Sequence, residues 1–487
     1  MTHSRKKILL QDTFRYSFAN SLAQGLGVIN SIALRRFLGP WMMGVWNILQ
    51  VILGYCGYAS LGTTKALMRD YPYLLGRGER EKAGTLKDLV MTFSMLGSLV
   101  PAVILWGYLF FRWRSLGLPL RFGLVFISLF LFLQRFYDII LALLRSEKKF
   151  DTLGFAIVIN ALGGLAATFL LVSWGGLYGL LLGTALVLLL CMFFIERTSS
   201  YQFHFVWDKM ALKKELQLGI PLILVAFLSE LLKTLDRWII ARRLGFYEVG
   251  LYSVALMAST YVFSVPMMFS HVWYPNLQEE YGRSGGVDGI KHYLLKPIEG
   301  LCFVVPFLYG LAIFTIPILI HMFLPKFVPG IPAMKIYLFG TFFLLLAQFG
   351  GNFLITLDKP WVNAVILLLS LALNYLSILL FLNLGWGLKG AALGSVISFA
   401  VYGLFSYGCA MARFSSGKEI AQNFLRLGTI LTLFYGLAFS IDCAVAMPGV
   451  LTALFTKLVL FIVGSLPFLW FFERKTGLLK HLMPSRS

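Results

Sequence analysis

Residues 36–46 read RFLGPWMMGVW and residues 243–252 read RLGFYEVGLY, so Leu38, Gly39, Gly44 and Trp46 recur as Leu244, Gly245, Gly250 and Tyr252 at a constant offset of 206. The same offset pairs Gly76-Arg77 with Gly282-Arg283. Further along, Gly176-Leu177-Tyr178-Gly179 and Gly183 match Gly387-Leu388-Lys389-Gly390 and Gly394 at 211, an offset shared by Glu147-Lys148 and Asp358-Lys359. Near-fixed spacing at four separate places argues for an internal duplication.

What is duplicated follows from composition. Of 487 residues, 59% are hydrophobic and 13% charged, and the mean hydropathy is +0.80. Soluble chains carry about 25% charge, and a helix crossing the bilayer takes about 20 apolar residues. Runs of that length fall near 14–37, 42–64, 88–111, 121–143, 153–173 and 177–195, then near 217–241, 247–272, 300–323, 333–356, 361–383 and 388–411, and finally near 424–446 and 450–472. The reading is an all-α polytopic membrane protein of about fourteen transmembrane helices, two six-helix repeats plus two C-terminal helices. Its predicted domains are an N-terminal bundle over 1–195, a cytoplasmic linker over 196–214, a C-terminal bundle over 215–411, and two helices with a tail over 412–487. An even helix number makes the two repeats parallel, related by an axis along the membrane normal.

The formal net charge of +20 sets the orientation. With the N-terminus, the even-numbered connections and the C-terminus on one side, that side collects 27 of the 42 Lys and Arg residues, including Arg5, Lys6 and Lys7, against eleven opposite. The positive-inside rule then places both termini in the cytoplasm. The N-terminal cations form a retained lead-in, since Gln11, Asp12 and Arg15 interrupt any signal-peptide core. The cations are scattered through short connections, which argues against nucleic-acid binding. Cys56, Cys191, Cys302, Cys409 and Cys443 all lie in apolar runs without a close pair, and no two of the six histidines have ligand spacing, so neither disulfides nor a metal site are expected. No phosphate-binding loop, HExxH, GxSxG or dinucleotide fingerprint is found. Connections of no more than about 20 residues leave no room for an ATPase or catalytic domain. No catalytic residue, cofactor or enzymatic activity is expected.

Four cations remain inside predicted spans, Arg15, Arg135, Lys233 and Arg237. Charge there costs at least about 2.5–3.5 kcal/mol and is a functional-site signal. In the seventh run Glu230, Lys233 and Arg237 fall within about 60° of one another, with Asp236 flanking Lys233. Two readings stay open: the four charges neutralise one another, or a cation is left for an anionic group, for which Arg supplies planar bidentate donors. In the fourth run Gln134, Arg135 and Asp138 lie on neighbouring faces, and Arg135 with Asp138 can pair internally. Asn20, Gln24, Gly27 and Ser31 form a stripe in the first run, as do Asn47, Gln50 and Gly54 in the second, suited either to helix packing or to hydrogen-bonding sugars. Arg35-Arg36 and Arg242-Arg243, on the outer side, are either headgroup anchors or an electropositive outer gate.

SIALRRFLGPWMMGVWNILQVI at 31–52, its echo LDRWIIARRLGFYEVGLYSVALMA at 235–258, FLPKFVPGIPAMKIYLFG at 323–340, and GLYGLLLGTAL with GLKGAALGSVIS together resemble the polysaccharide transporter family, the O-antigen (Wzx-type) flippases of the multidrug/oligosaccharidyl-lipid/polysaccharide exporter superfamily. The resemblance covers essentially the whole chain. It implies a multi-pass protein of the bacterial inner membrane that moves an undecaprenyl-diphosphate-linked oligosaccharide from the cytoplasmic to the periplasmic leaflet by alternating access. Membrane lipid surrounds it, and polysaccharide polymerase or chain-length proteins are its expected partners. The family pattern places an aspartate in the outer half of the seventh helix, where Asp236 stands. On this reading Lys233, Arg237 and Arg135 contact the diphosphate, Asn20, Gln24, Asn47 and Gln50 meet sugars, and Asp138, Glu230 or Asp236 serve coupling or ion pairing. The rivals are a gradient-driven small-molecule exporter of the MATE or major-facilitator type, and an enzyme that polymerises or ligates lipid-linked glycans, which would need a larger outer loop.

Overall fold

A segment of about 20 apolar residues has one inexpensive backbone solution in lipid, with every N–H and C=O paired inside the segment. The computed structural model follows it, and every regular element among the described residues is helical. The backbone is described for residues 3–199, 201–445 and 450–476, and side chains for these except 3–14, 16, 17, 218, 265, 271, 272, 450, 451, 469 and 471–476. The N-terminal cations Arg5, Lys6 and Lys7, the tail cations Arg474, Lys475, Lys480 and Arg486, and His3, His271 and His481 lie outside the described side chains.

The helices are α1 (His3–Cys56), α2 (Thr63–Gly76), α3 (Arg80–Arg112), α4 (Leu118–Ser146), α5 (Phe150–Ala167), α6 (Ser173–Thr198), α7 (Lys209–Arg243), α8 (Phe246–Ser284), α9 (Val287–Phe323), α10 (Ile331–Phe339), α11 (Thr341–Thr356), α12 (Pro360–Asn383), α13 (Gly387–Met411), α14 (Gly417–Ala444) and α15 (Val450–Thr476). Among the described residues, nine stretches are long and apolar enough to cross a membrane, or eleven when two bent pairs are included. The protein is a multi-pass, all-α membrane protein. Two of the nine, Phe18–Ser60 and Phe150–Thr198, are each about 65–75 Å long at 1.5 Å per residue, twice the hydrocarbon thickness. Each holds two of the predicted apolar runs, and each is broken at one glycine.

Those breaks explain part of the repeat. Gly39 has φ 68° and ψ 174°, with Pro40 next, which supplies no N–H to continue the ladder. Its counterpart Gly245 has φ 97°, and the pair Gly176 and Gly387 have φ 52° and 54°. Only glycine adopts this backbone without penalty. At the turns between α4 and α5 and between α11 and α12, the structural match differs by one residue from the sequence pairing. Lys148 (φ 59°) corresponds to Asp358 (φ 54°), because Lys149 N donates to Leu144 O and Lys359 N to Leu354 O, each at 2.9 Å. The offset there is 210, so Lys149 corresponds to Lys359, whereas the acidic Glu147 and Asp358 do not correspond.

The chain divides into two units, one comprising residues up to Glu230 plus Leu244–Gly250, the other Leu231–Arg243 plus the chain from Leu251. In the first unit, Phe130, Tyr137, Ile140 and Leu144 of α4 pack with Leu153 and Ala156 of α5 and Leu188, Cys191 and Ile195 of α6. Helix α2 falls in the stretch read as a connection. It is amphipathic and buries Leu67 and Tyr71 against Leu86, Val90 and Leu143. Within this unit Gly44 of α1 lies against the Phe246 carbonyl, and Gly250 against the Pro40 carbonyl. Pro40 and Phe246 are themselves 206 apart, so the contact is reciprocal across the repeat.

The second unit is built on α11 and α13, which approach closely enough that a Cβ at Gly403 would overlap the Phe343 carbonyl. Asn374 Nδ2 donates to Ser398 Oγ at 2.6 Å and ties α12 to α13. Helices α14 and α15 pack on α9 through Phe303, Phe434 and Phe461, and Arg426 pairs with Glu299 at 2.7 Å.

Candidate functional site

The first unit encloses a cavity of about 640 Å³ between α1, α4, α5 and α6, within the ~300–1,000 Å³ of ligand sites. Its polar lining is Asn30, Gln134, Asp138, Asn160, Thr168 and Thr184, and Trp46, Phe130 and Tyr137 contribute aromatic wall. Gln134 Nε2 donates to Asp138 Oδ1 at 2.9 Å, and Arg135 Nη1 stands 3.8 Å from Asp138 Oδ2. The Asn30 Oδ1 atom is buried with no hydrogen-bond partner in the structure. A membrane interior holding a carboxylate, three amides and two hydroxyls around one space is expensive unless something polar occupies it.

Of the sequence candidates, Asp138 lines this cavity, and Arg135 lies behind it. Arg135 is 7% exposed, and its Nη2 donates to the Gly57 carbonyl at 3.0 Å, so the guanidinium braces the turn that ends α1. Asn20 and Gln24 are not in the lining, which uses Ala23, Gly27, Asn30 and Leu34; one residue along a helix turns the face by 100°. Asn47 is buried and donates to the Met43 carbonyl at 2.7 Å within its own helix, and Gln50 is exposed. Asn30, Asn160 and Thr184 escaped the sequence reading because single polar residues in α1, α5 and α6 have no charge to mark them.

The charges of α7 fall on both sides of the boundary between the two units. Glu230 belongs to the first unit, and Lys233, Asp236 and Arg237 to the second. Asp236 is fully buried. Its Oδ2 accepts from Tyr252 Oη at 2.9 Å and Ser395 Oγ at 3.4 Å, and its Oδ1 accepts from the Arg237 backbone N–H at 2.8 Å. Three donors from α7, α8 and α13 thus hold the carboxylate as a knot inside the second unit. Arg237 is half-buried, and its Nε is buried without a hydrogen-bond partner, which leaves that donor for a further acceptor. Lys233 and Glu230 are half-buried. On the outer side of the predicted topology, Arg35 is buried and donates to the Ser31 carbonyl at 2.9 Å, while Arg36, Arg242 and Arg243 are exposed.

Two further groups were not anticipated. Asp442 near the end of α14 takes Lys335 of α10 and Lys457 of α15, the latter at 2.8 Å. One aspartate in an otherwise apolar run was the only signal. The segment 201–208 lies across the ends of α3 and α4: Tyr201 and Tyr71 donate to the two oxygens of Glu147 at 2.8 Å, Phe203 covers the Lys87 ammonium, and the Val206 N–H donates to Thr92 Oγ1 at 3.2 Å.

Residues 85–325 match the family model described as "Polysaccharide biosynthesis protein". The chain is 22% identical over 379 residues to a protein of Shigella flexneri named "Putative O-antigen transporter", an alignment spanning 74% of this chain and 87% of that one. The solved structure of "Lipid II flippase MurJ, inward closed conformation" superposes with a TM-score of 0.69 at 15% identity, over 94% of this chain and 99% of that chain. An inward-facing multidrug resistance MATE family transporter of the MOP superfamily superposes with a TM-score of 0.62 at 15% identity, over 83% and 94%. The resemblance to polysaccharide transporters is thereby borne out: the chain has the fold of these two solved structures, and through residues 85–325 it is matched by the polysaccharide biosynthesis protein family.

Proposed function

We propose that this chain is a flippase, not an enzyme, that moves an undecaprenyl-diphosphate-linked oligosaccharide from the cytoplasmic to the periplasmic leaflet of the bacterial inner membrane, with both termini cytoplasmic. The observation that carries the proposal is the family match over residues 85–325 together with a fold shared with a lipid II flippase along 94% of the chain. The physical problem fits the chain. A diphosphate with several sugars does not cross hydrocarbon unaided, because its hydrogen bonds to water have no replacement there. A bundle that offers polar groups at membrane depth supplies the replacement, and the polyprenyl tail stays in lipid. Parallel repeats that rock against each other around a fixed site alternate the leaflet served.

In this reading Arg237, whose Nε has no acceptor, and Lys233 receive the diphosphate. Asp138, in the cavity of the first unit, is the candidate for coupling to an ion gradient. Arg135, which braces the Gly57 carbonyl and whose Nε likewise has no acceptor, is the next candidate contact. A polysaccharide polymerase or chain-length protein consumes the product on the outer side.

The test is genetic and chemical together. Deleting the gene should abolish surface glycan and accumulate lipid-linked oligosaccharide on the inner leaflet, and the wild-type gene should restore display. The double variant Lys233→Ala, Arg237→Ala should reach the membrane and fail to restore it. Wild-type display from that variant sinks the assignment of the diphosphate contacts. The fold shared with a MATE transporter favours a second reading, a small-molecule exporter; drug sensitivity on deletion with intact surface glycan would establish it instead.

A further inference from the structure

Within the first unit, away from the cavity described above, a second pocket of about 810 Å³ opens between the end of α2, the start of α3 and the start of α7. These elements come from connections predicted to be cytoplasmic. Three of its four cations are already committed: Arg69 Nε lies 2.6 Å from Asp70 Oδ1, Arg77 Nε 3.3 Å from Glu79 Oε1, and Lys82 Nζ 2.9 Å from Glu79 Oε2. On the α7 side Asp208 caps the helix, accepting from the Met210 and Ala211 N–H groups at 2.8 and 3.1 Å. Lys214 and Glu215 complete the charged lining, which therefore sums to four positive and four negative side chains.

Two observations point to a ligand. Glu215 is 4% exposed, and its Oε2 is buried with no hydrogen-bond partner although it lines an open pocket. A buried carboxylate oxygen without a donor is costly, and a hydroxyl brought in by a ligand is the donor it lacks. Tyr73 is 62% exposed, held by Arg77, whose Nη1 donates to Tyr73 Oη at 3.2 Å and whose guanidinium sits 5.5 Å from the ring centroid. Its ring is an aromatic platform at the pocket wall.

The charge balance decides the class of ligand. A phosphate or diphosphate would have to displace carboxylates from three of the four cations, since the pocket has no net positive field to offer it. A neutral polyol does not. Its hydroxyls donate to the remaining carboxylate lone pairs and accept from the remaining N–H groups, and the apolar face of a sugar ring covers an aromatic ring. We propose that this pocket docks the sugar moiety of the lipid-linked substrate on the cytoplasmic side, before the headgroup is moved. The proposal rests on the flippase reading and adds to it a glycan subsite made of residues other than the diphosphate contacts. Glu215 is its buried acceptor, Tyr73 its stacking surface, and Asp70 and Glu79 its rim.

The experiment uses the full chain in nanodiscs, with the repeat-unit oligosaccharide released by mild acid from the strain's own lipid-linked pool as probe and inorganic diphosphate as competitor. Saturable binding is expected, lowered at least about fivefold by Glu215→Gln and by Tyr73→Ala, as for loss of one hydrogen bond or contact, and unmoved by diphosphate. Tyr73→Phe, which keeps the ring, should bind as wild type. Wild-type melting temperatures for Glu215→Gln and Tyr73→Phe show that an altered affinity is not misfolding. Undiminished binding by both Glu215→Gln and Tyr73→Ala, or displacement of the oligosaccharide by diphosphate, overturns the proposal. Because binding is read without transport, it is separable from the flippase reading: intact surface glycan on gene deletion defeats that reading, whereas lost glycan with unaltered variant binding defeats the pocket alone.

Discussion

Replacing Tyr252 by Phe removes one oxygen from the interior of the second unit and leaves almost everything else in place. The ring keeps its edge contact with Tyr337, whose own ring contacts Phe399, at centroid distances of 5.6 and 5.7 Å. Asp236, fully buried, loses its 2.9 Å donor and retains on that oxygen the 3.4 Å contact from Ser395, which is long for an O–H donor. A hydrogen bond to a charged group contributes about 1.5–3 kcal/mol, and an orphaned buried acceptor adds to the loss. Tyr252→Phe should therefore destabilise the second unit by about 2–3 kcal/mol, some 30- to 150-fold in the opening equilibrium, and Ser395→Ala by less than about 1 kcal/mol. The assay is unfolding of the purified protein in detergent, with amide exchange followed on α7, α8 and α13. A double-mutant cycle with Asp236→Asn should show coupling above about 1 kcal/mol. Additivity of the two changes, or a Tyr252→Phe protein within about 0.3 kcal/mol of wild type, would refute the view that Asp236 is held by this knot.

Other consequences follow from the same geometry. Gly44→Ala places a methyl group into the Phe246 carbonyl, whereas Gly54 has nothing within 4 Å; the first should cost about 1–3 kcal/mol and the second should be neutral or slightly stabilising, which melting curves of the two variants will compare. At the edge of the first unit, burial pushes the Glu147 carboxyl up, but Lys149 and the Tyr201 and Tyr71 hydroxyls outweigh it and hold it below the ordinary glutamate range. Its stabilising contribution is therefore complete above the usual glutamate pKa and lost as pH falls through the depressed value. Proteolytic cleavage within 201–208 should accelerate in acid below about pH 4, and Glu147→Gln should remove that pH dependence. Asp442→Asn leaves Lys335 and Lys457 facing each other; with these lysines partly exposed, a loss of about 1–2 kcal/mol is expected, read as earlier thermal release of α14 and α15.

Residue order alone established the lipid environment, because apolar runs of spanning length have only the helix to satisfy their backbone, and it exposed the duplication, because Gly39, Gly176, Gly245 and Gly387 stand where a backbone with positive φ is needed. It marked Asp138 and Asp236 because a charge in an apolar run is conspicuous. It did not reveal that α7 is divided between two units after Glu230, that Asp236 is bonded by Tyr252 and Ser395 from 16 and 159 residues away, or that Arg135 braces the Gly57 carbonyl. Nor did it reveal the amphipathic helix α2, which lies between spans and buries its face against α3 and α4. Periodicity says which residues share a face of one helix. Which neighbour covers that face depends on contacts distant in sequence, so the cavity around Asn30, Asn160 and Asp138, and the pocket beneath Glu215, came into view only with the packed bundle.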